Sequence, residues 1–134
     1  MKRVTGIGGI FFKAKNPDAM KQWYTEHLGI TPKPDGYVSF DWRDIDNPDE
    51  KGTTVWSVFD ANTEYFNPSQ SPYMINYRVD DLEGLLQKLR EEGVTVDEKT
   101  ESHEYGKFGW IMDPEGNRIE LWEPPKSYTF DGDE

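Results

Sequence analysis

The chain has 134 residues and carries 15 Lys and Arg against 26 Asp and Glu, a formal charge of −11, so phosphate backbones and anionic lipid surfaces are poor partners for it and neither nucleic acid nor membrane is expected. It has no cysteine, which excludes disulfides, zinc-thiolate sites and thiol nucleophiles. Leu, Ile, Val and Phe make up about a fifth of the residues, near the level of disordered chains, but five Trp and seven Tyr can supply the missing buried area.

Met1-Lys2-Arg3-Val4 has the charge of a leader's first region, but Gly6, Gly8 and Gly9 break the apolar stretch behind it and no small-residue cleavage site follows. A cytoplasmic protein is expected. Val4 to Lys15 reads as a strand, rich in β-branched and aromatic residues. Asn16 then caps a helix over about 18–28: Pro17 suits its first position, Met20, Trp23, Tyr24 and Leu28 share one face, and Gly29 stops it. Ile30 starts a strand that reaches Asp35-Gly36, a hairpin signal, and Tyr37 to Arg43 returns as its partner. Asp44 to Gly52 is an acidic loop and Thr53 to Phe59 a strand. Asp60 to Ser71 lacks periodicity and reads as a linker.

Tyr73 to Val79 is again a strand. Asp80-Asp81 caps a helix over about 82–92, with Leu82, Leu85, Leu86 and Leu89 on one face and Gly93 at its end. Val94 to Glu101 is a strand, Ser102 to Gly106 a loop, and Lys107 to Met112 a strand. Asp113-Pro114-Glu115-Gly116-Asn117 is a turn, Arg118 to Glu123 the last strand, and Pro124-Pro125 stops it.

The two halves have the same order of elements. A shift of 64 places Asn16-Pro17 on Asp80-Asp81 and Gly29 on Gly93, so the helices begin and end in register. The expected fold class is α+β: two βαβββ modules form a curved mixed sheet around a cleft, with the helices outside. The modules span 1–62 and 71–125, joined by a linker over 63–70, in a single domain over 1–125 with a tail over 126–134.

Trp23-Tyr24-Thr25-Glu26-His27-Leu28-Gly29 and Asp113-Pro114-Glu115-Gly116-Asn117-Arg118-Ile119-Glu120-Leu121, set in paired βαβββ modules, resemble the vicinal oxygen chelate superfamily of glyoxalases, bleomycin-resistance proteins, extradiol dioxygenases and methylmalonyl-CoA epimerase. The resemblance covers about residues 4–123. It implies a homodimer and, in metal-dependent members, a divalent ion held by one ligand from the first and one from the last strand of each module. Carried over, those positions fall on Gly9, near Ser57 (or Trp56), on Met74 and on Glu120. Only Glu120 is a usual ligand, and one carboxylate does not hold a catalytic ion against water. No metal is therefore expected.

Alternation puts Ile119 and Leu121 on the helix side of the last strand and Arg118, Glu120 and Trp122 on the other. Phe11, Met74, Asn76, Arg78 and Trp110 fall on strand faces that would line the same cleft, an apolar pocket with a few polar anchors. Glu120 is a candidate general base, against the plainer reading of an ion pair with Arg118 or Arg78. His103, in the loop before a cleft strand, is a candidate proton carrier or substitute ligand, against that of a solvated loop residue. His27 reads as a complement to the dipole of the first helix. Gly6-Ile7-Gly8-Gly9 fails the dinucleotide spacing and marks a bulge. Three functions compete: metal-free binding of a small aromatic or drug-like molecule, a metal-dependent lyase, isomerase or dioxygenase using Glu120 with ligands such as His103, and an interaction domain with a filled cleft.

Overall fold

The computed structural model describes residues 2–34 and 36–125. Asp35 of the expected hairpin and the 126–134 tail lie outside the described residues. In chain order the elements are β1 (Val4–Ala14), α1 (Pro17–Leu28), β2 (Tyr37–Arg43), β3 (Lys51–Asp60), β4 (Tyr73–Val79), α2 (Leu82–Glu91), β5 (Thr95–Val96), β6 (Glu101–His103), β7 (Gly106–Met112) and β8 (Arg118–Glu123).

The helices start and stop where the sequence indicates, for local reasons. The Asn16 side chain accepts the Ala19 N–H at 3.1 Å, and Asp81 accepts that of Gly84 at 3.1 Å. Gly29 and Gly93 take left-handed φ values of 69° and 85°, which a side chain would resist.

The strands form one open, curved, mixed sheet in the order β2-β3-β1-β4-β8-β7, with β5 and β6 both paired to β7. Two pairs are parallel, β1 with β3 and β4 with β8, and β1 meets β4 antiparallel at the centre. The α+β architecture expected from the sequence is thus the one observed.

Two expected strands differ. Residues 30–34 form none: Pro32 and Pro34 have no N–H for a ladder, and the Lys33 N–H donates instead to the Tyr37 carbonyl at 3.1 Å. The strand expected over 94–101 is split into β5 and β6. Asp97 turns the chain by accepting the Lys99 N–H on its side chain at 2.9 Å, so 98–100 leave the ladder. Its second piece runs on to His103, which is a strand residue and not a loop residue.

Three apolar clusters hold these layers. Leu82, Leu85 and Leu86 of α2 pack with Val79 and Leu121, while Met20 and Tyr24 of α1 pack on Phe12, Ala14, Trp56 and Val58. The third cluster, Phe11, Val55, Phe66, Met74 and Trp110, is covered by no helix. It borders the cavity described next.

Candidate functional site

Three strand pairings converge on Glu120. The parallel pair of β4 and β8 sets Asn76 beside it, the antiparallel pair of β7 and β8 sets Trp110 opposite it, and β1 sets Gly9 beside Asn76 and Val55. A register shift between Ile7 and Gly9 adds Gly8 to the same wall. A Cβ on Gly8 would stand 2.2 Å from Asn76 Oδ1 and 2.9 Å from the Trp122 ring, so only glycine fits there.

The Glu120 carboxylate is almost fully buried, at 1% exposure. It accepts from Asn76 Nδ2 at 2.6 Å, from Trp110 Nε1 at 3.0 Å and from the Tyr65 hydroxyl. Burial pushes its pKa above the usual carboxylate range, and the three donors, with the charge of Arg118, pull the other way. Burial, followed by the charge of Glu120 and its hydrogen bond, raises Tyr65 well above the ordinary phenol value, so Tyr65 holds its proton as the donor. Tyr65 comes from the linker, whose ring stacks on Phe59 at 5.6 Å and 7°. Arg118 anchors that linker by donating to the Asn67 carbonyl at 3.0 Å.

Above Glu120 lies a cavity of about 180 Å³ walled by Gly8, Phe11, Val55, Phe59, Tyr65, Asn76, Phe108 and Trp122, with Glu101, His103 and Tyr105 also lining it. His103 bonds Glu101 through Nε2 at 2.9 Å and stacks on Tyr105 at 4.9 Å and 6°. Glu101 lies below the usual carboxylate range, chiefly through His103.

Of the residues singled out from sequence, Phe11, Asn76, His103, Glu120 and Trp122 line this cavity. Trp110 stands behind Glu120 as its donor, and Met74 is buried in the adjoining cluster. Arg78 sits between the Trp42 and Trp122 rings at 5.5 and 5.3 Å. Arg118 lies over Trp110 at 4.9 Å and also donates to Asp97. Among the described residues, neither arginine donates to Glu120 and its bonded partners are neutral. Gly8, Val55, Phe59, Tyr65, Glu101, Tyr105 and Phe108 were not anticipated. Beside Glu120 on the neighbouring strand stands Asn76, two residues after Met74, and beside Gly9 stands Val55, two before Ser57.

The model of the Glyoxalase/Bleomycin resistance protein/Dioxygenase superfamily matches residues 6–121. The chain belongs to this superfamily. Among curated protein sequences none matches it. Solved structures share its fold at low identity. A variant of methylmalonyl-CoA epimerase from Streptomyces coelicolor in complex with 2-nitronate-propionyl-CoA superposes with a TM-score of 0.66 at 14% identity, over 90% of this chain and 98% of that one. Methylmalonyl-CoA epimerase from Mycobacterium tuberculosis gives 0.57 at 20%, over 93% and 91%. A superfamily member from Vibrio splendidus 12B01 gives 0.54 at 14%, over 87% and 97%.

The divalent ion that metal-dependent members hold does not fit the residues here. Gly8 and Gly9 offer no side chain, Val55 offers hydrocarbon, and Asn76 turns its N–H₂ toward Glu120. The lone carboxylate is met by three hydrogen-bond donors, and Asn76 Oδ1 is the one neutral acceptor beside it, short of the three or four ligands an ion needs. Among the described residues, no three His, Asp or Glu side chains gather into a metal-holding group.

Proposed function

We propose that this superfamily member is a metal-independent binding protein that acts in the cytoplasm and takes up a small, flat organic molecule in the cavity above Glu120. The observation that carries the reading is the carboxylate enclosed by Tyr65, Asn76 and Trp110 at the base of an aromatic-walled space. A dry cavity of about 150 Å³ accepts benzene, so about 180 Å³ suits one ring with a short substituent. Large drug-like molecules would have to extend beyond it. Thermal melts with single-ring aromatics test this. A ligand at a hundred times its Kd stabilises by about 2.7 kcal/mol, and a set in which none raises the Tm at millimolar concentration refutes the reading.

A second reading is a lyase or isomerase. It is favoured by His103, which lines the same cavity as Glu120 and could move a proton there. Deuterium uptake from solvent into a bound ligand, abolished in His103→Ala, would support it, and retention of hydrogen would refute it.

Exposed Trp23, Leu28, Ile7 and Phe40 support a homodimer. Light scattering should give twice 15.6 kDa.

A further inference from the structure

The polar groups at the base of the cavity are unequal in kind. Three of its donor groups are engaged: the Tyr65 hydroxyl and one N–H of Asn76 Nδ2 on Glu120, and Trp122 Nε1 on the Tyr105 carbonyl at 2.8 Å. Its acceptors are not. Asn76 Oδ1 is buried and, among the described residues, has no hydrogen-bond partner. Its orientation follows from Glu120, since turning the amide over would set two oxygens against each other. Among the described residues Glu120 Oε1 accepts only from Asn76, which leaves it a lone pair. A buried acceptor without a donor costs about 1–3 kcal/mol, which an occupant carrying N–H groups would relieve.

The charges agree with the hydrogen bonds. No lysine or arginine lines the cavity among the described residues. Arg118 donates to Asn67 and Asp97 and Arg78 lies between two indoles; Arg78 Nε and Nη1 and Arg118 Nε are buried without a hydrogen-bond partner among the described residues, but neither side chain lines the cavity. Lys99 reaches only the far oxygen of Glu101, at 3.2 Å, and its side chain is 69% exposed. Phe59, Tyr65, Phe108 and Trp122 wall the cavity with aromatic carbon, against which a small ring can pack. His103 lies against Glu101, at 2.9 Å.

Building on the binding role proposed above, we infer that the cavity selects a small organic cation that donates hydrogen bonds, a one-ring amidine or amine, and excludes carboxylates and phosphates. The ring lies among the aromatic side chains, and its N–H groups face Asn76 Oδ1 and Glu120.

Three ligands of one size separate this inference from the reading it builds on. Benzamidine, toluene and benzoate differ in charge but not in ring, and calorimetry on the full chain at neutral pH ranks them. Benzamidine is expected to bind at least about tenfold more tightly than toluene, the effect of one good polar contact, with no measurable binding of benzoate. Toluene or benzoate binding as well as benzamidine overturns the inference and leaves the binding role standing. No binding by any of the three overturns both. In Glu120→Gln the preference for benzamidine over toluene should fall about tenfold. A preference that survives the substitution removes Glu120 from the site.

Discussion

Tyr65→Phe deletes one atom from the Glu120 site and little else. The ring remains stacked on Phe59, and Asn76 and Trp110 still donate to the carboxylate. The loss is one hydrogen bond to a charged acceptor, about 1.5–3 kcal/mol, from a total stability of about 5–15 kcal/mol for a domain of this kind. The cost should also depend on pH. Burial already holds the Glu120 pKa above its ordinary value, and the Tyr65 hydrogen bond counteracts that rise. Without the hydroxyl the folded-state pKa climbs further, and the ionised native form loses more than the protonated one. The cost is therefore smallest below the unfolded carboxylate value of about 4.3 and reaches its full size only above the variant's own folded pKa. Urea unfolding followed by tryptophan fluorescence, from pH 4 to 8.5, measures both quantities. A cost that falls as pH rises, or no measurable cost at any pH, would refute the arrangement of donors on Glu120.

Glu120→Gln removes the titration itself. A raised folded pKa gives stability that is fully present below the unfolded pKa and lost as pH rises through the folded one. The variant should therefore gain on the wild type with rising pH across that window, as paired unfolding curves will show. Gly8→Val places a Cβ 2.2 Å from Asn76 Oδ1 and 2.9 Å from Trp122, so it should cost about 1–3 kcal/mol and weaken ring binding in calorimetry. Native protein incubated with nickel or zinc and then dialysed should retain well below one ion per chain in elemental analysis. A full equivalent that disappears in Glu120→Gln would mean that the donors around the carboxylate give way to a metal.

What could be read from the sequence was what local chemistry decides. Asn16, Asp81, Gly29 and Gly93 fix the helix ends by capping, and their repeat at a shift of 65 for the first pair and 64 for the second reveals the paired architecture. Glu120 stands out because its motif is local. The rest depends on pairing between distant segments. The residue that stands beside Glu120 on the neighbouring strand is Asn76, two after the Met74 position that the family resemblance implies, and only the β4–β8 register shows it. Tyr65 lies 55 residues from Glu120 in a stretch without periodicity, and nothing local marks it as a partner. The strand expected after Ile30 fails for a local reason, since Pro32 and Pro34 have no N–H to give to a ladder.

The interruption between β5 and β6 has a consequence for solubility. An open sheet ends in strands whose outer N–H and C=O groups could recruit a strand from another molecule and start a fibril. At one end of this sheet the ladder breaks after Val96 and resumes only at Glu101, with Glu98 and Lys99 exposed in the gap. An incoming strand would find two short pieces of two and three residues and no continuous template. At the other end, the Lys33 N–H already occupies the Tyr37 carbonyl, and exposed Asp41 and Arg43 place charge along the rest of β2. A chain this rich in exposed aromatic surface has its two vulnerable margins guarded against self-templated stacking.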